Sequence, residues 1–446
     1  MKKLFILYGS KQFLFSLLIL SIIVVTIDLE VSNIADFADQ FLISNTGILT
    51  FIAISSIFWI SQTIFYYSIK DRLKAVRFKG KNLFFLERLL TTSFWILIFL
   101  NFIMIIEMLL YQRYSVYILV LTVIISYSLN TFFMSLLSFM LLSWNKTRKN
   151  SVLLSYGLAS ISASVSAVLT AIYITGILLG KTAEISSTLE IIFPIFDLNS
   201  ILGFLNITNT LSFLSSFILI WIGSALVLKH YSSNIPKSRY VLLIVVPLIY
   251  YIGQYFTILN ILFPFVDSSS TSFIYYYSIF FTLSSVVGSV IFAITFWLMA
   301  RDLSRESSTS TYLRICGYGL IMFFSSATAT VVHTPYPAFG MVSISLVGLS
   351  SYYILHGFYS SSVSLSEDIT LRLLIRKSIS SQLAFLSSMS TGYILDKVVS
   401  QVVNTTRRFE EDSMERTGIS SSLSNDEIKM YIKQIVEEFR TKKGPG

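Results

Sequence analysis

The stretch 155-SYGLASISASVSAVLTAIYIT-175 carries no charge, is long enough to cross a bilayer and is coated with small side chains. Eleven of the seventeen residues from Ser155 to Ala171 are Gly, Ala, Ser or Thr. Ser155, Ala159, Ala163, Ala167, Ala171 and Thr175 recur every fourth residue and so form one ridge of a helix. Small ridges let backbones approach closely inside lipid, where association depends on packing and interhelical hydrogen bonds. The stretch therefore predicts a membrane helix, and its small coat predicts a place in the middle of a bundle.

Working outward, the composition agrees. The 446 residues are 54% hydrophobic and 13% charged, with a mean hydropathy of +0.72. Charged residues make up about a quarter of a soluble domain, so this chain uses lipid as solvent. Cys316 is the single cysteine, which excludes an intrachain disulfide framework.

Ten apolar runs follow in order. The first, 13–27, has basic residues before it and Asp28, Glu30, Asp36 and Asp39 after it. It reads as an uncleaved span; against a secretory signal stands the lack of a small-x-small cleavage site after it. The others are 47–69, 89–110, 116–144, 155–175, 210–228, 240–265, 273–300, 315–332 and 339–359. Pro247 predicts a kink in the seventh, since proline removes a backbone hydrogen bond. Between Gly180 and Asn209 the apolar IIFPIF, broken at Pro194, predicts a short helix on the membrane surface.

Charge sets the expected orientation. Nineteen Lys and Arg outside the tail fall on loops of one side, against Arg113 and Lys181 on the other. By the positive-inside rule this places both termini in the cytoplasm of a cell-membrane protein. The net charge of +9 is then a topology signal, with Lys70, Arg72, Lys74, Arg77, Lys79 and Lys81 as candidate contacts to anionic headgroups. Nucleic acid is not an expected partner, because a binding surface would need the basic residues on one shared face.

Residues 1–360 thus form the expected ten-span domain, and 361–446 a water-facing tail with twelve basic and eleven acidic residues. Ser366, Glu367 and Asp368 mark a helix start there, followed by Arg372, Arg376 and Lys377, which join the candidate headgroup contacts. A second tail helix is expected over about 380–416. A last amphipathic one starts at the capping box of Ser424 and Glu427; its apolar stripe packs on the tail itself or on a cytoplasmic partner. The segments GFYSSSVSLSEDITLRLLIRKS (357–378) and RTGISSSLSNDEIKMYI (416–432) resemble the tails of uncharacterised archaeal multi-pass membrane proteins. That resemblance covers about the last fifth of the chain and implies a helical cytoplasmic tail, with no activity attached.

Catalytic and cofactor chemistries each require their own residue spacing. His230, His333 and His356 lie far apart, with no pair at ligand spacing, so neither a metal nor another cofactor is expected. There is no HExxH, no Walker loop and no paired-aspartate motif. No charged residue falls at the middle of a span, which counts against proton-coupled transport; Glu107, a turn from the end of the third span, is expected to reach the interface. The deep polar residues are Asn101, Ser126, Asn130, Gln254 and the row Ser162, Ser166 and Thr170, candidates to line a pathway or to bond helices together. Asn101 is expected level with Ser126 in the hairpin of spans three and four. Asn206 opens an N-x-T sequon.

Three functions are compatible with these residues. The tail favours a non-enzymatic sensor or scaffold that docks a cytoplasmic protein. The small, hydroxyl-rich fifth span suggests a transporter or lipid-handling protein. The acidic first loop, read as solvated, leaves a membrane glycosyltransferase by analogy.

Overall fold

The computed structural model describes residues 11–35, 45–75, 81–111, 115–147, 149–180, 201–230, 237–258, 271–302, 308–327 and 339–386, together with Met430, Tyr431 and Gln434. Helix dominates these residues, and no strand occurs among them. Lipid gives a backbone no hydrogen-bonding partner, so a crossing segment must satisfy its own peptide groups, as a helix does. Ten long helices follow the ten apolar runs: α1 (Lys11–Ala35), α2 (Asn45–Ala75), α3 (Lys81–Tyr111), α4 (Val116–Thr147), α5 (Ser151–Gly180), α6 (Ile201–His230), α7 (Lys237–Ile258), α8 (Thr271–Asp302), α9 (Ser308–Ala327) and α10 (Met341–Leu386). Six of them are long and apolar enough to cross a membrane: α2 to α6, and α10 over Met341–Ser364. The chain is an all-α protein consistent with a polytopic membrane bundle.

Two compact units arise by contact. The first comprises Met1–Ile69, Leu90–Leu298 and Arg314–Gly357; the second comprises Lys70–Leu89, Met299–Leu313 and Phe358–Gly446. In the second, Lys70 Nζ pairs with Glu87 Oε1 at 2.7 Å, Thr309 Oγ1 and Ser364 Oγ share a 2.8 Å bond, and Ser310 Oγ donates to the Ala300 carbonyl at 2.8 Å.

The first unit is built around a helix other than the expected one. In α5, Leu154, Leu158, Ile161, Val165, Val168 and Ile172 are all exposed and fall on one face, so α5 presents an apolar side outward. α10 is buried at every position from Met341 to Phe358, and α9 is buried almost throughout from Thr309 to Ser326. A ridge of small residues reports close approach to neighbours on that ridge only. A helix surrounded on all sides needs small or satisfied residues all round, as α10 has in Ser343, Ser345, Gly348, Ser350, Ser351 and Gly357. Its hydroxyls tolerate burial by bonding to their own helix: Ser345 to the Met341 carbonyl, Ser350 to Val347 and Ser351 to Gly348, at 2.8 to 2.9 Å.

Glycines set how closely α9 and α10 approach. A Cβ on Gly357 would lie 2.6 Å from both the amide nitrogen and the Cβ of Cys316, and one on Gly319 would lie 2.8 Å from the amide nitrogen of Ile354.

Two expected boundaries move. The sixth helix starts at Ile201, nine residues earlier than its apolar core suggested, and takes in the end of the expected surface-helix region. The remainder of that region, with Pro194, lies outside the described residues, as do Asp36, Asp39, Arg77, Lys79 and most of the two later tail helices. No new helix begins at Ser366. Instead α10 runs without interruption for 46 residues: Glu367 is a good helix former, and Ser364, Ser366 and Asp368 each cost only about 0.5 kcal/mol in a helix interior, too little to end it.

Candidate functional site

The N-terminal third of α10 is where four earlier helices converge. Gly340 has a φ of 92°, a left-handed conformation that strains other side chains, and its carbonyl accepts the first helical bond, from the Ile344 amide at 3.1 Å. Gly340 is thus the N-cap of α10, and it brings no side-chain oxygen to cap the free amides of the first turn. Asp28 of α1 supplies the missing acceptor. Its Oδ2 accepts from the Ser343 amide at 3.3 Å and the Ser343 hydroxyl at 3.1 Å, with a further bond to the Gly340 backbone. A carboxylate suits the positive end of a helix dipole.

Asp28 was expected in a solvated acidic loop. It lies instead on α1 with none of its surface exposed. Oδ2 carries both Ser343 bonds, and the second oxygen, Oδ1, has no hydrogen-bond partner.

The other neighbours grip the same segment. Phe51 of α2 meets Phe339 edge-on, with ring centroids 5.6 Å apart. Asn101 of α3 donates from Nδ2 to the sulfur of Met341 at 3.6 Å. Ser126 of α4 donates to the Ile344 carbonyl and accepts from the Gly348 amide at 3.2 Å. Ile344 and Gly348 are the two partners of one i to i−4 backbone pair, so a foreign hydroxyl stands in the ladder of α10. Asn101 and Ser126 are thus both directed onto α10, which passes beside both. Asn130, one turn from Ser126, is buried with its Oδ1 unpartnered.

A second polar group joins α1 and α2. Gln62 Nε2 donates to Ser21 Oγ at 2.8 Å, Ser21 and Ser61 hydroxyls bond at 3.0 Å, and Ser55 is fully buried with no partner for its hydroxyl. These residues escaped the sequence reading because single serines within apolar runs look like ordinary helix surface.

The row on α5 is used between helices. Ser162 and Ser212 each donate to the other's carbonyl, at 2.7 and 2.8 Å, while Ser166 and Thr170 both donate to Asn209 Oδ1, at 2.7 and 2.9 Å. On the α4 side, Ser138 donates to the Gly157 carbonyl at 2.9 Å and Ser135 bonds Ser164 at 2.7 Å. Replacing Asn209 with leucine strands both α5 donors. The expected loss is about 1 to 3 kcal/mol, seen as a lower unfolding midpoint of the purified protein in detergent. An unchanged midpoint would mean that these bonds hold nothing.

The remaining candidates are placed by backbone alone: Gln254 on α7, Arg72 and Lys74 on α2, Lys81 at the start of α3, and Arg372, Arg376 and Lys377 on α10. Lys70 is engaged with Glu87. Glu107 Oε2 accepts from the Ser115 amide at 2.8 Å and caps the start of α4. The sequon asparagine, Asn206, is buried inside α6, away from the extended exposed segment a glycan acceptor needs. Among the described residues, no three His, Cys, Asp or Glu stand together as a metal site would require.

No protein family, curated protein or solved structure matches this chain. The functional reading therefore rests on this geometry.

Proposed function

We propose that the protein is a non-enzymatic membrane sensor that signals or docks through its C-terminal tail. The observation that carries this reading is α10: one helix whose first turn is held by α1 and α4, which is buried at every position from Met341 to Phe358, and whose end at Leu386 lies in the tail. A helix is stiff along its axis, so a change in grip at Gly340 and Ser343 has a continuous element along which to act. The sorting of Lys and Arg adds the direction: the gripped end faces outward and the tail faces the cytoplasm. Basic residues of the second unit, including Arg72, Lys74, Arg372, Arg376 and Lys377, then lie where anionic headgroups are.

A transporter with its path beside α5 is less well supported, since the polar row there is bonded to α4 and α6. A glycosyltransferase built on the acidic first loop loses Asp28 to its capping role.

The test compares the full chain with a chain ending at residue 379, each affinity-purified from the same membranes. A soluble protein recovered only with the full chain is the expected result. An identical set of recovered proteins would overturn the sensor reading.

A further inference from the structure

The bare oxygen of Asp28 has a neighbour in height. Phe51 meets Phe339 and Phe65 meets Tyr353, the latter with ring centroids 5.5 Å apart. Both pairs keep the same offset in number, so α2 and α10 run parallel and in register. Ser55, one turn beyond Phe51, is therefore level with Ser343, one turn beyond Phe339, and Ser343 is the residue that Asp28 holds. The contact of α1 with α2 gives the same answer. Ser21 bonds Gln62, and two turns further toward the same end of these antiparallel helices stand Asp28 and Ser55. Two fully buried oxygens without partners, Asp28 Oδ1 and Ser55 Oγ, thus share one level.

Among the described residues, no basic side chain offsets the carboxylate. On α1 the neighbouring ionisable group is Glu30. On α2 the nearest are Tyr66 and Tyr67, about three turns away, and Lys70 beyond them. On α10 they are Tyr352, Tyr353 and His356, about 14 Å or more along the axis. On α3 and α4, whose side chains meet the same turn of α10, Glu107 is bonded to Ser115, Tyr117 is exposed and Tyr127 is buried, while Arg88 and Lys146 lie at the opposite ends of their helices. A buried carboxylate without a counter-charge is costly, and one small positive charge would relieve it.

We propose that Asp28 and Ser55 form a binding site for a single small monovalent cation, either sodium or a proton. Sodium would take Asp28 Oδ1 and Ser55 Oγ as oxygen ligands. A proton from the solvent would sit on Oδ1, leaving the carboxyl neutral at the level of Ser55. Either ion makes Asp28 less anionic toward the first turn of α10. The site thus supplies the input of the sensor reading and rests on that reading for its consequence, while binding itself is measured on purified protein with no tail partner present.

The experiment follows the unfolding midpoint of the full chain in detergent by circular dichroism. One arm titrates sodium chloride against choline chloride at fixed alkaline pH, and the other lowers pH in choline chloride. Mass action on a native-state ligand predicts a midpoint that rises with sodium or with falling pH. Asp28→Asn should flatten that rise. A response to sodium alone identifies sodium, and one to pH alone identifies the proton. Ser55→Ala, which keeps the carboxylate, should shift the half-effect concentration by about fivefold, the worth of one modest ligand bond. A wild-type midpoint indifferent to both ions, or an Asp28→Asn protein that responds as the wild type does, would overturn the proposal. If Asp28→Asn does not fold, an unshifted half-effect in Ser55→Ala would overturn it.

Discussion

Gly357→Ala is expected to lower the stability of the bundle by about 3 kcal/mol, at the upper end of what overpacking usually costs. The atoms in the way are the amide nitrogen, Cα and Cβ of Cys316, at 2.6 to 2.7 Å, so no side-chain rotation relieves the clash and α9 must move off α10. Gly176 on α5 provides the contrast. A Cβ there meets only Leu202 Cδ2, at 3.1 Å, the far end of a flexible side chain. Gly176→Ala should be neutral or stabilising, because alanine in a helix interior is favoured over glycine by about 1 kcal/mol. Both are measured as midpoints in the same detergent. Equal effects of the two substitutions would show that the approach of α9 to α10 is looser than described.

Ser362→Pro should uncouple the two halves of α10. Proline at 362 removes the amide that bonds to the Phe358 carbonyl and collides with it, at a cost of about 3 kcal/mol to the helix. The break falls after the Gly357 contact and at the very start of the tail. Amide exchange over residues 366–386 should then accelerate by about a hundredfold, the equivalent of that cost, while exchange over 341–356 stays slow. In cells the variant should lose the tail-dependent partner even though the tail is present. Retention of that partner would mean the tail works without an intact helix above it, which removes the reason for reading α10 as a transmitter.

What could be read from the residues divides along physical lines. Helix positions were legible because a run such as 116–144 must bond its own backbone in lipid whatever surrounds it. The centre of the bundle was not legible from the same signal. The small ridge of α5 was the most conspicuous, yet its opposite face of Leu154, Leu158 and Ile161 points away from the protein. α10 carried the better clue, serines and glycines on every face, which looks like a poor membrane segment until its neighbours are known. Asp28 was misplaced for a related reason: a carboxylate just after an apolar run looks solvated unless one sees that Gly340 leaves a helix start uncapped. Asn101, Ser126 and the α5 row could be picked out as deep polar residues. Their partners could not, since the Asn101 to Met341 and Ser126 to Ile344 bonds join residues more than two hundred positions apart.

The burial of α10 also bears on how the protein is made. α10 is the least apolar of the six long helices, and it follows the other nine in the chain. A ribosome delivering it to an empty bilayer would offer lipid a rod of serines with little affinity for oil. Its insertion must therefore wait for a vestibule that the earlier helices have already assembled. Chains stopped before α9 should present that opening to the cell's quality-control proteases as an unfinished fold.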